Sequence, residues 1–318
     1  MTDSEGRSCP LGYRYNPASL CETVTPVSED VLYVIGGLYG NPFALDEIEQ
    51  MARAEECQGR SVKLVFNGDF NWFNASDELF RDINNRVLSH TASLGNVDYE
   101  LAKPSTGAGC GCAYPDFVDQ GVVERSNQIM TRLQNTAELH RDIQQRLAAL
   151  PRYCSLLFEG LNISILHGDP ESLAGWGLAH ESFDAGNGHQ LAEWFRMSGA
   201  DVMASAHTCL PVLWSGLVDG RSRLVANNGS AGMGNLSADP RGLITRISRA
   251  APTAEPVSGF EHAGLQVHLM PVDYDVHAWL KQFDRLWPEG SAAAHSYRDR
   301  ILEGTFLSPD NIVFPPAF

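Results

Sequence analysis

The chain has 318 residues, 43% hydrophobic and 19% charged, enough to build a sizeable core in a layered sheet protein without disulfides. Its 39 acidic and 23 basic residues leave a formal charge of -16, a field that repels phosphate backbones and anionic lipid surfaces. Nucleic acid and membranes are therefore not the expected partners, whereas a small phosphorylated molecule in a locally neutralised pocket remains compatible with this charge.

Residues 1–28 are polar, carry Pro10, Pro17 and Pro26 and show no clear period, which reads as an N-terminal arm before a unit at 29–318. They hold no secretory apolar core, and no later stretch approaches the roughly 20 apolar residues of a membrane span. A cytoplasmic location follows as the expectation, with the seven cysteines as thiols or metal ligands.

Val31 to Ile35 is a β-rich apolar run ending in Gly36-Gly37, and an amphipathic helix is expected after Asn41-Pro42. Ser61 to Phe66 gives a second buried strand, halted by Asn67-Gly68-Asp69. This alternation predicts an α/β layer with a parallel or mixed sheet, whose ligands gather beyond the carboxyl ends of the strands. A long polar helical stretch is expected over 116–150, after the Gly/Cys segment Gly107 to Cys112. Cys154 to Phe158 and Ile163 to Leu166 form a hairpin, Leu191 to Met197 a helix, and Val202 to Ser205 a short strand. The runs Pro211 to Trp214, Leu224 to Ala226, Leu243 to Ile247 and Leu265 to Met270 suit a second sheet, and helices at about 274–287 and 293–303 close the chain.

Asp69, Asn96, His167 and His207 each end or follow an apolar run, within Gly68-Asp69, Gly95-Asn96, His167-Gly168 and His207-Thr208. A carboxylate, an amide and two imidazoles delivered by strand ends are a ligand set for one transition-metal ion with mixed oxygen and nitrogen donors.

The order of these motifs resembles the calcineurin-like metallophosphoesterase superfamily over about Val31 to Ser230. Its members carry an Asp-x-His, a Gly-Asp, a Gly-Asn, a His after a strand, a Gly-His-Thr-His and often an Asn-Pro-Gly-Ser. The corresponding segments here are Gly37-Leu38-Tyr39, Gly68-Asp69, Gly95-Asn96-Val97-Asp98, His167-Gly168-Asp169-Pro170, Ala206-His207-Thr208-Cys209 and Asn228-Gly229-Ser230. The resemblance implies a four-layer αββα sandwich with two mixed β-sheets, with 116–150 as a helical insertion covering the pocket. It also implies two metal positions. Ligands of the first map to Gly37, Tyr39, Asp69 and Cys209, three of them changed. Those of the second map to Asp69, Asn96, His167 and His207, all intact.

The resemblance therefore implies a mononuclear site for a divalent or trivalent ion such as manganese, iron or zinc. Hydrolysis of a small phosphomonoester or phosphodiester by activated water would be its chemistry, with Asp69, Asn96, His167 and His207 as the catalytic set. Two other readings stay open: a non-catalytic binding or scaffold protein on the phosphoesterase fold, and a metal/thiol site using Tyr39 and Cys209. Tyr39 either joins Cys209 at the first position or fills its void. Members often carry His after the motif Asn as general acid; Val97 stands there, and Asp98 could serve by proximity, although in this family the neighbouring acid more often orients a ligand.

Cys110-Gly-Cys112 reads either as a Gly-rich turn or, with Cys9 and Cys21, as a four-thiolate site, while Cys57 and Cys154 sit in apolar contexts as core thiols. His180 or His189 could supply a missing acid, Trp176 could line a substrate wall, and Asn71 and Asn74 could orient an anion or form a turn. Self-association remains open.

Overall fold

A computed structural model of the chain describes residues 5–315. Every residue of the Val31–Ile35 strand is buried, and its side chains divide between two cores. Leu32 and Val34 join Leu156, Ile163, Val202 and Leu224 of a second sheet, while Val31, Tyr33 and Ile35 join a helix-covered core. A strand buried on both faces must be apolar throughout, which is why this run shows no alternation.

The first sheet orders Ser258–His262, Leu265–Val272, Gly242–Ser248, Val31–Ile35, Val62–Asn67 and Thr91–Ser93; the last three strands run parallel. The second orders Thr25–Pro26, Tyr153–Phe158, Leu161–Leu166, Val202–Ser205, Arg221–Asn228, Pro211–Val218 and Val313–Phe314. Both are mixed. Helices Pro42–Glu56, Asp77–Val87 and Val276–Leu286 cover the first sheet, and Gly188–Ser198 covers the second, giving four αββα layers.

Three expectations change. The late apolar runs do not build one sheet: 243–247 and 265–270 extend the first, while 211–214 and 224–226 belong to the second. The stretch 116–150 is not one helix but two, Gln120–Ala137 and Arg141–Ala148. They break at His140, whose ring is held by Arg81 and Asp77 of a neighbouring helix. Nor do these helices cover the pocket. Val123, Ile129, Met130, Leu133, Ile143 and Leu147 are buried, and the pocket wall comes from the loop before them. Residues 5–28 lie on the body, with Tyr13 and Leu20 fully buried and the Tyr13 hydroxyl donating to Glu100 at 2.6 Å. Among the described residues no helix is long and apolar enough to cross a membrane.

Strands 62–67, 91–93, 161–166 and 202–205 all open, at their carboxyl ends, into loops that carry the candidate ligands. One buried ion pair fastens the helix layer to this frame. Arg246, inside the first sheet, donates to Glu55 at 2.7 Å, and both side chains are fully buried. Removing one partner strands the other charge, so Glu55→Ala should lower unfolding free energy by ~3–5 kcal/mol in chemical denaturation. An unchanged midpoint would show that the pair does not hold the helix.

Candidate metal centre

Asp69 is reached through two consecutive left-handed residues, Gly68 at φ 90° and Asp69 at φ 53°. A Cβ on Gly68 would lie 2.3 Å from the Gly95 nitrogen and 2.8 Å from His167 Nδ1, so only glycine lets the three loops approach this closely. The Asp69 amide donates to Asp98 Oδ2 at 2.6 Å, and Asp98 also accepts from the Gly95 amide and from Asn71 Nδ2. Asn74 in turn donates to Asn71 at 2.8 Å. Asn71, Asn74 and Asp98 thus brace the strained turn rather than face a ligand.

These contacts aim four atoms at one point. Asp69 Oδ1 accepts from the Val97 amide at 3.0 Å, leaving Oδ2 to face His167. Asn96, at the first turn of the Asn96–Ala102 helix, donates through Nδ2 to the Cys110 carbonyl, which turns Oδ1 inward. His167 Nδ1 lies 2.8 Å from the Asn67 carbonyl, and His207 Nε2 lies 3.2 Å from that of Cys112. A carbonyl only accepts, so each ring carries its proton there and presents a bare nitrogen to the other. His167 Nε2 is then 3.2 Å from Asp69 Oδ2, 3.2 Å from Asn96 Oδ1 and 3.3 Å from His207 Nδ1.

Four lone pairs converge with no donor among them. Their mutual repulsion is relieved only by a cation, either a proton or a metal ion. Two nitrogens and two oxygens suit manganese, iron or zinc, so the residues fit a metal. Among the described residues, Asp69, His167 and His207 are the one group of His, Cys, Asp or Glu side chains whose ligand atoms lie within 4.8 Å of one another.

Tyr39 and Cys209 stand beside this cluster rather than in it. The Tyr39 hydroxyl is 2.6 Å from Cys209 Sγ, and burial raises both pKa values. A Cβ on Gly37 would lie 3.0 Å from the Tyr39 ring, so the ring fills the space into which a side chain at 37 would point.

The other cysteines do not assemble. Cys110 and Cys112 are buried in a turn with Gly111 at φ 72°, and no four-thiolate group forms among the described residues. The working atom of Cys112 is its carbonyl, which takes both His207 Nε2 and Trp176 Nε1. Cys57 is exposed at the end of the Pro42–Glu56 helix instead of lying in the core, since it falls on the solvent face of an amphipathic helix. His180 lies near the Asn311 carbonyl and packs on Phe314, and His189 is exposed; neither lines the pocket.

Asp69, Asn96 and His207 open onto a cavity of about 170 Å³ walled by Trp72, Tyr114, Trp176 and Tyr297, with Arg300 at its edge. Of these, only Trp176 stands out in the sequence. Arg300 lies 93 positions beyond His207 and carries no local signal.

No family model and no curated protein matches the sequence. A metallophosphoesterase from Sphaerobacter thermophilus is similar in structure, with TM-score 0.55 and 16% identity over 87% of this chain and 100% of that one. The chain has the metallophosphoesterase fold. A hypothetical protein from Pyrococcus horikoshii OT3 shares that fold, with TM-score 0.54 and 16% identity over 87% of this chain and 99% of its own. Within the metallophosphoesterase fold, the four converging residues lie in loops beyond strand ends, where α/β sheets bind ligands.

Protonation should compete with metal. Burial opposes charge on His167, but the Asp69 carboxylate outweighs it and its pKa lies above the ordinary value. Burial and the Asp69 charge push the Asp98 carboxyl up to about 7. Both groups hold protons more tightly in the folded chain than in the unfolded one. Each therefore stabilises the metal-free fold on the acid side and loses that contribution as pH rises through its folded value. His207, lowered to about 3 by burial and by His167, is neutral throughout. The rise in Tm caused by manganese should accordingly be larger at about pH 8 than at about pH 6. Equal rises in thermal melts would mean that no proton is displaced.

Proposed function

We propose that the protein is a metal-dependent phosphoesterase acting on a small phosphomonoester or phosphodiester, with one ion held by Asp69, Asn96, His167 and His207. The observation that carries this reading is the set of three lone-pair atoms that lie 3.2–3.3 Å from a fourth, His167 Nε2, with both imidazole protons committed to backbone carbonyls. When bound, a divalent ion supplies Lewis-acid polarisation of a phosphoryl oxygen and lowers the pKa of a water.

The chain's own residues do the rest. Asp98 fixes the Asp69 turn, and Trp176 packs edge-on against the His207 ring at 5.7 Å and limits its tilt. Trp72, Tyr114, Trp176 and Tyr297 line the cavity with aromatic surface suited to a planar group on the phosphoester. Val97 lines the cavity and has no proton to give a departing oxygen. Esters whose leaving groups depart unprotonated, such as nitrophenyl esters, are therefore favoured over alkyl ones.

Hydrolysis of a nitrophenyl phosphodiester should require added manganese and fall to background in His167→Ala and Asp69→Asn. Asp98→Asn, which loosens the brace without removing a ligand, should cost about 10–100-fold. Bound manganese with no turnover of any phosphoester would favour the non-catalytic scaffold, and turnover insensitive to chelation would rule out the metal mechanism.

A further inference from the structure

The cavity that holds Asp69, Asn96 and His207 is also lined by a phenol, a thiol and a guanidinium, those of Tyr39, Cys209 and Arg300. Arg300 lies in the last turn of the Ala292–Glu303 helix and reaches the same cavity as Asp69, Asn96 and His207. Its Nε donates to the Gly234 carbonyl at 3.1 Å and its Nη2 to the Cys209 carbonyl. Two neutral acceptors orient the planar fork but leave its charge uncompensated, with Nη1 free to donate. Arg298, on the same helix, is paired with Asp284; Arg300 has no carboxylate partner among the described residues, in a chain with 39 acids. A half-buried guanidinium in a cavity, held by carbonyls and lacking a counter-ion, is arranged to meet an anion.

Cys209 links Tyr39 to this charge. Its backbone is left-handed at φ 61°, and from that one residue the thiol faces the Tyr39 hydroxyl while the carbonyl grips Arg300. The guanidinium is close enough to act electrostatically on both the Cys209 thiol and the Tyr39 hydroxyl.

We infer that Arg300 is a substrate-binding residue that supplies, beside Tyr39 and Cys209, the second positive charge on a tetrahedral oxyanion, so that the phosphoryl group lies between one metal ion and one guanidinium. The inference deepens the phosphoesterase reading and rests on it for the metal half of the clamp. Two-metal hydrolysis opposes the growing negative charge with two ions; here a fork of N–H donors takes the second share, with bidentate geometry that a point charge lacks.

The test is calorimetric titration of inorganic phosphate into manganese-loaded and metal-free protein, for the wild type, Arg300→Met and Arg300→Lys, with manganese affinity measured alongside. The expected result is unchanged manganese affinity in all three, phosphate affinity weakened at least about tenfold in Arg300→Met, and an intermediate loss in Arg300→Lys. Phosphate binding unaffected by Arg300→Met, or absent from the wild type in both states, overturns the inference. If the wild type takes up no manganese yet binds phosphate in an Arg300-dependent way, the metal reading falls and the arginine site stands. If Arg300→Met does not fold, Arg300→Lys decides: weaker phosphate binding supports the role, and equal binding refutes it.

Discussion

The Nδ1 proton of His167 goes to the carbonyl of Asn67, and the Nε2 proton of His207 goes to the carbonyl of Cys112. With those two protons committed, the inward nitrogens of the neutral rings accept, and Asp69 and Asn96 add two more acceptors to the same point. A cluster of acceptors buried this deeply is costly unless a cation joins it. The strained Gly68-Asp69 turn, the Asp98 brace and the aromatic walls all follow from holding that cluster together. Asn67 belongs to a strand of the first sheet, His167 follows a strand of the second, and Cys112 comes from the loop that leads into the helices. The sandwich itself sets the protonation pattern.

Around this point the site is asymmetric. On one side stand Asp69, Asn96, His167 and His207; on the other, the Tyr39 ring lies against Gly37 and its hydroxyl meets the Cys209 thiol. Tyr39, Asp69 and Cys209 all have left-handed backbones, at φ 53°, 53° and 61°. Backbone strain of this kind persists only where surrounding contacts over-determine it. Here it persists on both sides of the cavity, at the ligand turn and at the substituted position alike. The half around Tyr39 and Cys209 is a built structure, with its own hydrogen bond and with a carbonyl directed at Arg300.

Much of this was legible before any coordinate. The strand ends announced themselves because each apolar run stops at a glycine or a polar residue, and a site at strand ends draws its ligands from such stops. The four-layer arrangement came from the motif order, since Val31 to Ile35 alone says only that both faces are covered. What stayed hidden depends on distant partners. The helical stretch after 116 contains no proline or glycine at its break, because His140 is held by Arg81 and Asp77, some sixty positions earlier. The Cys112 carbonyl carries no side-chain signature, so attention falls on the thiol, which does less. Arg300 lies outside every motif and enters the cavity from the last helix of the chain. The apolar late runs show that they are strands but not which sheet each joins; Leu243 to Ile247 crosses back to pair with Val31–Ile35.

An anomalous difference map from crystals grown with manganese tests the central claim most directly. The account predicts one peak per chain, within bonding reach of Asp69, Asn96, His167 and His207, and none beside Tyr39 and Cys209. A second peak beside Tyr39 and Cys209, or no peak with the two imidazoles still facing each other, would contradict it.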